Sequence, residues 1–145
     1  MSARGLFVAL AVLAGAASAL QGATNAGLTG RIGVASAVLV NATVLLLGAL
    51  LFWAWRGGPT GFFPAGVPWN LYLGGLLGFT IVTAIALSFP RLGGATTIAL
   101  MVLGQGLMTL AIDHFGLLGM PRDPLTLGRL LGICAVAAGV FLIRR

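Results

Sequence analysis

The residues able to do chemistry are few, and most of them sit in the middle of hydrophobic runs. Gln21 and Asn25 lie four apart, which places them on one helix face, with Thr24 beside them. Asn41 stands nearly alone in the next run, and Thr80 and Thr83 occupy the third. Gln105, Thr109 and Asp113 recur every four residues in the fourth run and form a polar stripe. A polar side chain in hydrocarbon is costly unless it faces protein or water. Amides both donate and accept hydrogen bonds. A cavity lined by Gln21, Asn25, Asn41, Gln105 and Thr109 therefore suits a neutral or zwitterionic solute, or a weakly polar aromatic one. The competing role is interhelical glue, each amide satisfying a neighbouring helix. Asn41 alone fits the glue role; the Gln21/Asn25 pair fits a binding site.

Asp113 and His114 are adjacent titratable residues, and Asp113 is one of just two acids. At membrane depth such a pair could take up protons and couple transport to a gradient. At the membrane surface Asp113 would instead pair with Arg122 or Arg129. There is no phosphate loop, metal-ligand cluster or catalytic triad in the sequence, so neither an enzyme nor a cofactor is expected. Cys134, the only cysteine, lies inside an apolar run and reads as a packing residue.

The elements that must position these residues are membrane helices. Of the 145 residues, 59% are hydrophobic and only 7% charged, against about 25% charged in a typical soluble domain. Lipid is the solvent that suits such a chain. Five runs approach the ~20 residues that a spanning helix needs: 5–28, 33–55, 70–89, 93–115 and 127–143. They form one transmembrane domain over 1–145, broken by the loop 56–69 with Pro59, Pro64 and Pro68. Phe62 and Phe63 are expected at the membrane interface, and Trp53, Trp55, Trp69 and Tyr72 form an aromatic belt around the loop. Ala17-Ser18-Ala19 resembles a signal-peptide cleavage site, but apolar character continues to Leu28, so the run reads as a span. Gly74-x-x-x-Gly78 and Gly128-x-x-x-Gly132 are close-packing motifs for helices, within the chain or at a dimer interface.

Net charge is +6, and all eight basic residues are arginines spread over the ends of the runs. That placement argues against nucleic-acid binding, which clusters its charge. With five spans, Arg4, Arg56, Arg122 and Arg129 fall on the side of the N-terminus, and Arg31, Arg91, Arg144 and Arg145 on the other. Under the positive-inside rule, four against four favours neither orientation. That balance is the condition expected of a chain that inserts both ways. No internal duplication is evident, so an antiparallel homodimer would supply the inverted pair that many transporters build from repeats.

Several stretches carry a resemblance. They are Gln21-Gly-Ala-Thr-Asn25-Ala-Gly-Leu28, the run Pro68-Trp-Asn-Leu-Tyr-Leu-Gly-Gly-Leu-Leu-Gly78, and Pro90-Arg-Leu-Gly93. Gly104-Gln105, Ile112-Asp-His-Phe-Gly116, and Arg129 with Gly132 and Gly139-Val140 continue the series in order. Over nearly its whole length the chain resembles the DUF606, or YdcZ-like, family of the drug/metabolite transporter (DMT) superfamily. The resemblance implies an all-α integral membrane protein of the bacterial inner membrane, an antiparallel dual-topology dimer and transport of a small metabolite or drug-like solute. It implies no particular substrate. The first span lacks the glutamate that the related small multidrug-resistance transporters use for cation and proton exchange, which argues against that mechanism. A dual-topology channel for a small ion and a non-transporting accessory protein are the alternatives.

Overall fold

A computed structural model describes residues 3–58 and 64–143. Pro59, Phe62, Phe63, Arg144 and Arg145 lie outside the described residues. Among the described residues every regular element is helical: α1 (Ala3–Ile32), α2 (Val34–Trp55), α3 (Gly74–Leu92), α4 (Gly94–Phe115) and α5 (Leu127–Ile143). A 3-10 turn, Trp69–Leu73, leads into α3, and a shorter one, Leu117–Gly119, follows α4. Four apolar helical segments are long enough to cross a membrane, and α5 is an apolar helix of 17 residues. At ~1.5 Å of rise per residue α5 is about 25 Å long, near the lower limit for a span.

The chain divides into two compact units, Met1–Arg91 with α1 to α3 and Leu92–Arg145 with α4 and α5. In the first unit the buried positions are Gly22, Asn25, Ala37, Val38, Ile85 and Ala86. The core is thin because large apolar side chains point outward, Leu51 at 73% and Phe7 at 67% exposure among them. In water such a surface would aggregate. In a bilayer it is the solvated surface, and each helix satisfies its own backbone. Trp53 and Trp55 in the last turns of α2, and Trp69 and Tyr72 in the 3-10 turn, are all exposed, as an aromatic belt requires.

Three boundaries differ from the sequence expectation: α3 itself begins at Gly74, residues 70–73 lying in the 3-10 turn, and two helices run on further than expected. α1 continues through Thr29 and Gly30 to Ile32, because neither residue stops a helix whose next bonds can still be made. α3 runs through Pro90 to Leu92. Pro90 lacks the N–H that would bond the carbonyl four residues back, and its ring crowds that carbonyl, so the helix ends two residues later.

The real stops are Gly33 and Gly93. They have nearly the same backbone conformation, φ 82° ψ 161° and φ 79° ψ 156°. That region is open essentially to glycine alone. Each glycine is preceded by an Arg-Ile or Arg-Leu pair, and each opens a helix of 22 residues. Gly33 donates its N–H to Thr29 O at 2.9 Å, closing α1, while its carbonyl accepts from Ala37 N–H at 3.1 Å, opening α2. Thr97 N–H bonds Gly93 O at 3.1 Å in the same way, and Thr97 Oγ1 adds a 2.8 Å bond to that carbonyl. The chain thus contains a repeated one-residue junction, where the residue pattern alone showed no duplication. Nothing lies within 4 Å of a Cβ built on either glycine, so Gly33→Ala and Gly93→Ala should each cost about 1–3 kcal/mol through backbone strain alone. Thermal unfolding in detergent checks this, with Gly30→Ala, also in open space but inside α1, as the control.

Candidate functional site

Within the first unit, α1, α2 and α3 line a half-open cavity of about 530 Å³, a size suited to a drug-like molecule. α1 contributes Gln21, α2 contributes Asn41 with Leu45 and Ala49, and α3 contributes Gly78 and Phe79. Glycines 74, 75 and 78 leave the α3 wall without side chains along one strip. Val38, Ala42 and Phe79 also border a second cavity of about 610 Å³, which Thr83 lines.

The polar groups here are not interchangeable. Asn41 Nδ2 donates to Asn25 Oδ1 at 3.3 Å, joining α2 to α1 across sixteen residues of sequence. Asn25 is only 6% exposed, and its own Nδ2 is buried without a partner. A buried orphan donor is a standing cost that a bound molecule or water relieves. Thr29 and Thr83 also carry buried hydroxyls without partners. Thr24 and Thr80, by contrast, return their hydroxyls to the carbonyls of Gln21 and Leu76 in their own helices, both at 3.0 Å. Of the sequence candidates, Gln21 and Asn41 therefore share the cavity wall, with Asn25 bonded to Asn41. Gln105 and Thr109 belong to α4 of the second unit, where both are exposed.

Asp113 and His114 take part in a corner that joins the end of α4 to the start of α5. Arg129 of α5 pairs with Asp113 Oδ2 at 3.4 Å and also with Asp123. Asp123 N–H donates to Asp113 O at 2.8 Å, and Arg122 Nε–H donates to His114 O at 3.1 Å. These two bonds satisfy carbonyls that the last turn of a helix leaves open. Leu125 N–H donates to His114 Nδ1 at 3.2 Å, so that ring nitrogen acts as an acceptor. Both acids of the chain are thus engaged with Arg129. Among the described residues no group of three or more His, Cys, Asp or Glu side chains could hold a metal ion.

Within each unit, the glycines at which helices approach most closely are not those of the spaced motifs. No atom lies within 4 Å of a Cβ built on Gly74, Gly78, Gly128 or Gly132. The close approaches are at Gly22, where a Cβ would stand 2.6 Å from Phe89 Cε2 and 3.1 Å from Ile85 Cγ2, and at Gly106, 2.6 Å from Ile133 Cδ1. No spacing rule singles these two out, because close approach depends on where helices cross.

A family model described as "Putative inner membrane exporter, YdcZ" matches residues 6–142. The chain belongs to this YdcZ family. The match covers all five helices, and with the apolar spans it makes the protein a multi-pass inner-membrane protein of an exporter family rather than an enzyme family. No curated protein and no solved structure matched the chain.

Proposed function

We propose that the protein is a secondary transporter that carries a small organic solute across the inner membrane, working as an antiparallel homodimer inserted in both orientations. The observation that carries this reading is the cavity among α1, α2 and α3, with Gln21 and Asn41 as its polar groups. A cavity of that size with two amides at mid-span has the dimensions and chemistry of a solute site. The balanced arginines support dual insertion. Exposed Gln105 and Thr109 on α4 support a partner, since an amide at mid-span in lipid requires protein or water against it. In the dimer, Gln105 and Thr109 of one copy complete the cavity of the other. Asp113 and His114 hold the α4–α5 corner in place, while the amides handle the solute.

Reconstituted protein should move a substrate found by thermal-shift screening with saturable kinetics, and Asn41→Leu should cut that flux about tenfold or more, as loss of a buried polar anchor does. Flux rising linearly with concentration would point to a channel. No flux for any stabilising solute would leave an accessory role.

A further inference from the structure

The chain has one histidine, His114. Histidine is the side chain that ordinarily changes charge between pH 5 and 8. It stands in the last turn of α4, in the second unit, and is not among the residues that line the cavity.

Three bonds tie the segment 122–125 back onto that turn. Two of them end on main-chain carbonyls, from Asp123 N–H to Asp113 O and from Arg122 Nε–H to His114 O. Neither depends on the state of the imidazole. The third does: Leu125 N–H donates to His114 Nδ1 at 3.2 Å. A ring nitrogen accepts only while it carries no proton, so this bond requires the neutral imidazole with its proton on Nε2. In the imidazolium both nitrogens are donors, and Nδ1–H would face Leu125 N–H.

The bond sits where α5 begins. Thr126 caps that helix, its Oγ1 accepting from Arg129 N–H at 3.4 Å and its carbonyl from Leu130 N–H at 3.1 Å. Leu125 is the residue before the cap, so holding it fixes how α5 leaves the corner. The corner is also strained. Leu118 takes φ 56° and ψ 24° between Gly116 and Gly119, which both have positive φ. A leucine keeps left-handed backbone only where its surroundings hold it there.

The charged groups around the imidazole are Asp113 from α4, Arg122 and Asp123 from the connecting segment, and Arg129 from α5. Both carboxylates pair with Arg129, and Phe115 meets the ring edge-on at 4.8 Å. Two cations and two anions offset each other. Protonation therefore acts on the corner chiefly through the lost acceptor.

We propose that His114 is a pH-sensitive latch on the α4–α5 corner. Neutral, it holds Leu125 and keeps the strained turn closed. Protonated, it releases Leu125 and loosens the start of α5. The hold is present at pH 8 and lost as the pH falls towards 5. The latch acts on the fold and carries no proton along a solute path, so it stands whether or not the protein transports.

The full chain in nanodiscs, with 15N in its histidine, gives one pair of ring resonances. At pH 8 they should show Nδ1 bare and Nε2 protonated. Hydrogen exchange at Leu125 N–H then reads the latch, corrected for the intrinsic pH dependence of exchange and referred to Leu110 N–H inside α4. Protection at Leu125 should fall about fivefold from pH 8 to pH 5, the effect of losing one neutral hydrogen bond, while Leu110 stays level. His114→Asn offers an acceptor that does not titrate, and its Leu125 protection should be the same at both pH values. His114→Phe keeps a ring against Phe115 but has no acceptor, and its protection should be low at both.

The proposal is overturned if Nδ1 carries the proton at pH 8, or if Leu125 protection in the unaltered chain does not change with pH. It is also overturned if the fall persists in His114→Asn, or if His114→Phe keeps the protection that the unaltered chain has at pH 8. The first two measurements require no variant to fold.

Discussion

Two variants that force the chain into opposite orientations should each lose activity alone and regain it when produced together. Arg31→Ala with Arg91→Ala leaves four arginines on the side of the N-terminus and two on the other; Arg4→Ala with Arg56→Ala leaves two against four. The positive-inside rule is decided by such differences in short loops. Reporters fused to the C-terminus should place the first variant with its N-terminus in the cytoplasm and the second with its N-terminus outside. All four arginines are exposed, so the substitutions leave the helix packing alone. If the working unit is an antiparallel pair, flux or saturable binding should fall about tenfold or more in either variant alone, since a copy whose partner cannot insert presents an incomplete site. Co-expression should restore it. Full activity in either variant alone would refute the dual-topology reading.

Gly22→Leu should strongly destabilise the first unit. A Cβ there already meets the Phe89 ring and comes within 3.1 Å of Ile85 Cγ2. The branched side chain would force α1 and α3 apart, at a cost of about 1–3 kcal/mol or more. Gly22 is next to Gln21, and Phe89 is on the helix that carries Gly78 and Phe79, so the same displacement opens the cavity. Phe89→Ala removes the obstructing ring. A double-mutant cycle should therefore show coupling of about 1–3 kcal/mol, with Gly22→Leu and Phe89→Ala together more stable than Gly22→Leu alone. Gly27→Leu, at an open position on the same helix, should be nearly silent. Additive effects at positions 22 and 89 would mean that the helices do not meet there.

Hydropathy made the helices legible, because a spanning segment must be apolar over most of its length whatever it packs against. It did not locate the junctions. Thr29 and Gly30 look like a break in a hydropathy profile, yet α1 continues past them, and the decisive residue is Gly33 with its left-handed φ. The matching junction at Gly93 emerged only when the two backbone conformations could be compared. Spaced glycines pointed to Gly74, Gly78, Gly128 and Gly132, whereas Gly22 and Gly106 make the close approaches between helices of one unit. The sequence offered Arg122 or Arg129 as a partner for Asp113. The structure pairs it with Arg129 and uses Arg122 to cap the His114 carbonyl.

By itself, then, the sequence determined that this protein lives in a membrane, in five mostly helical segments, with a handful of amides as its chemical resources. Those are properties of residue type and period, and lipid enforces them segment by segment. Only the tertiary structure decided how the amides are used. Gln21 and Asn25 share a helix face in any α-helix, but whether Asn41 meets one of them depends on the turn at Gly33 and the way α1 and α2 then cross. That geometry makes Asn25 the holder, leaves Asn41 facing the cavity with Gln21, and so gives the site its polarity.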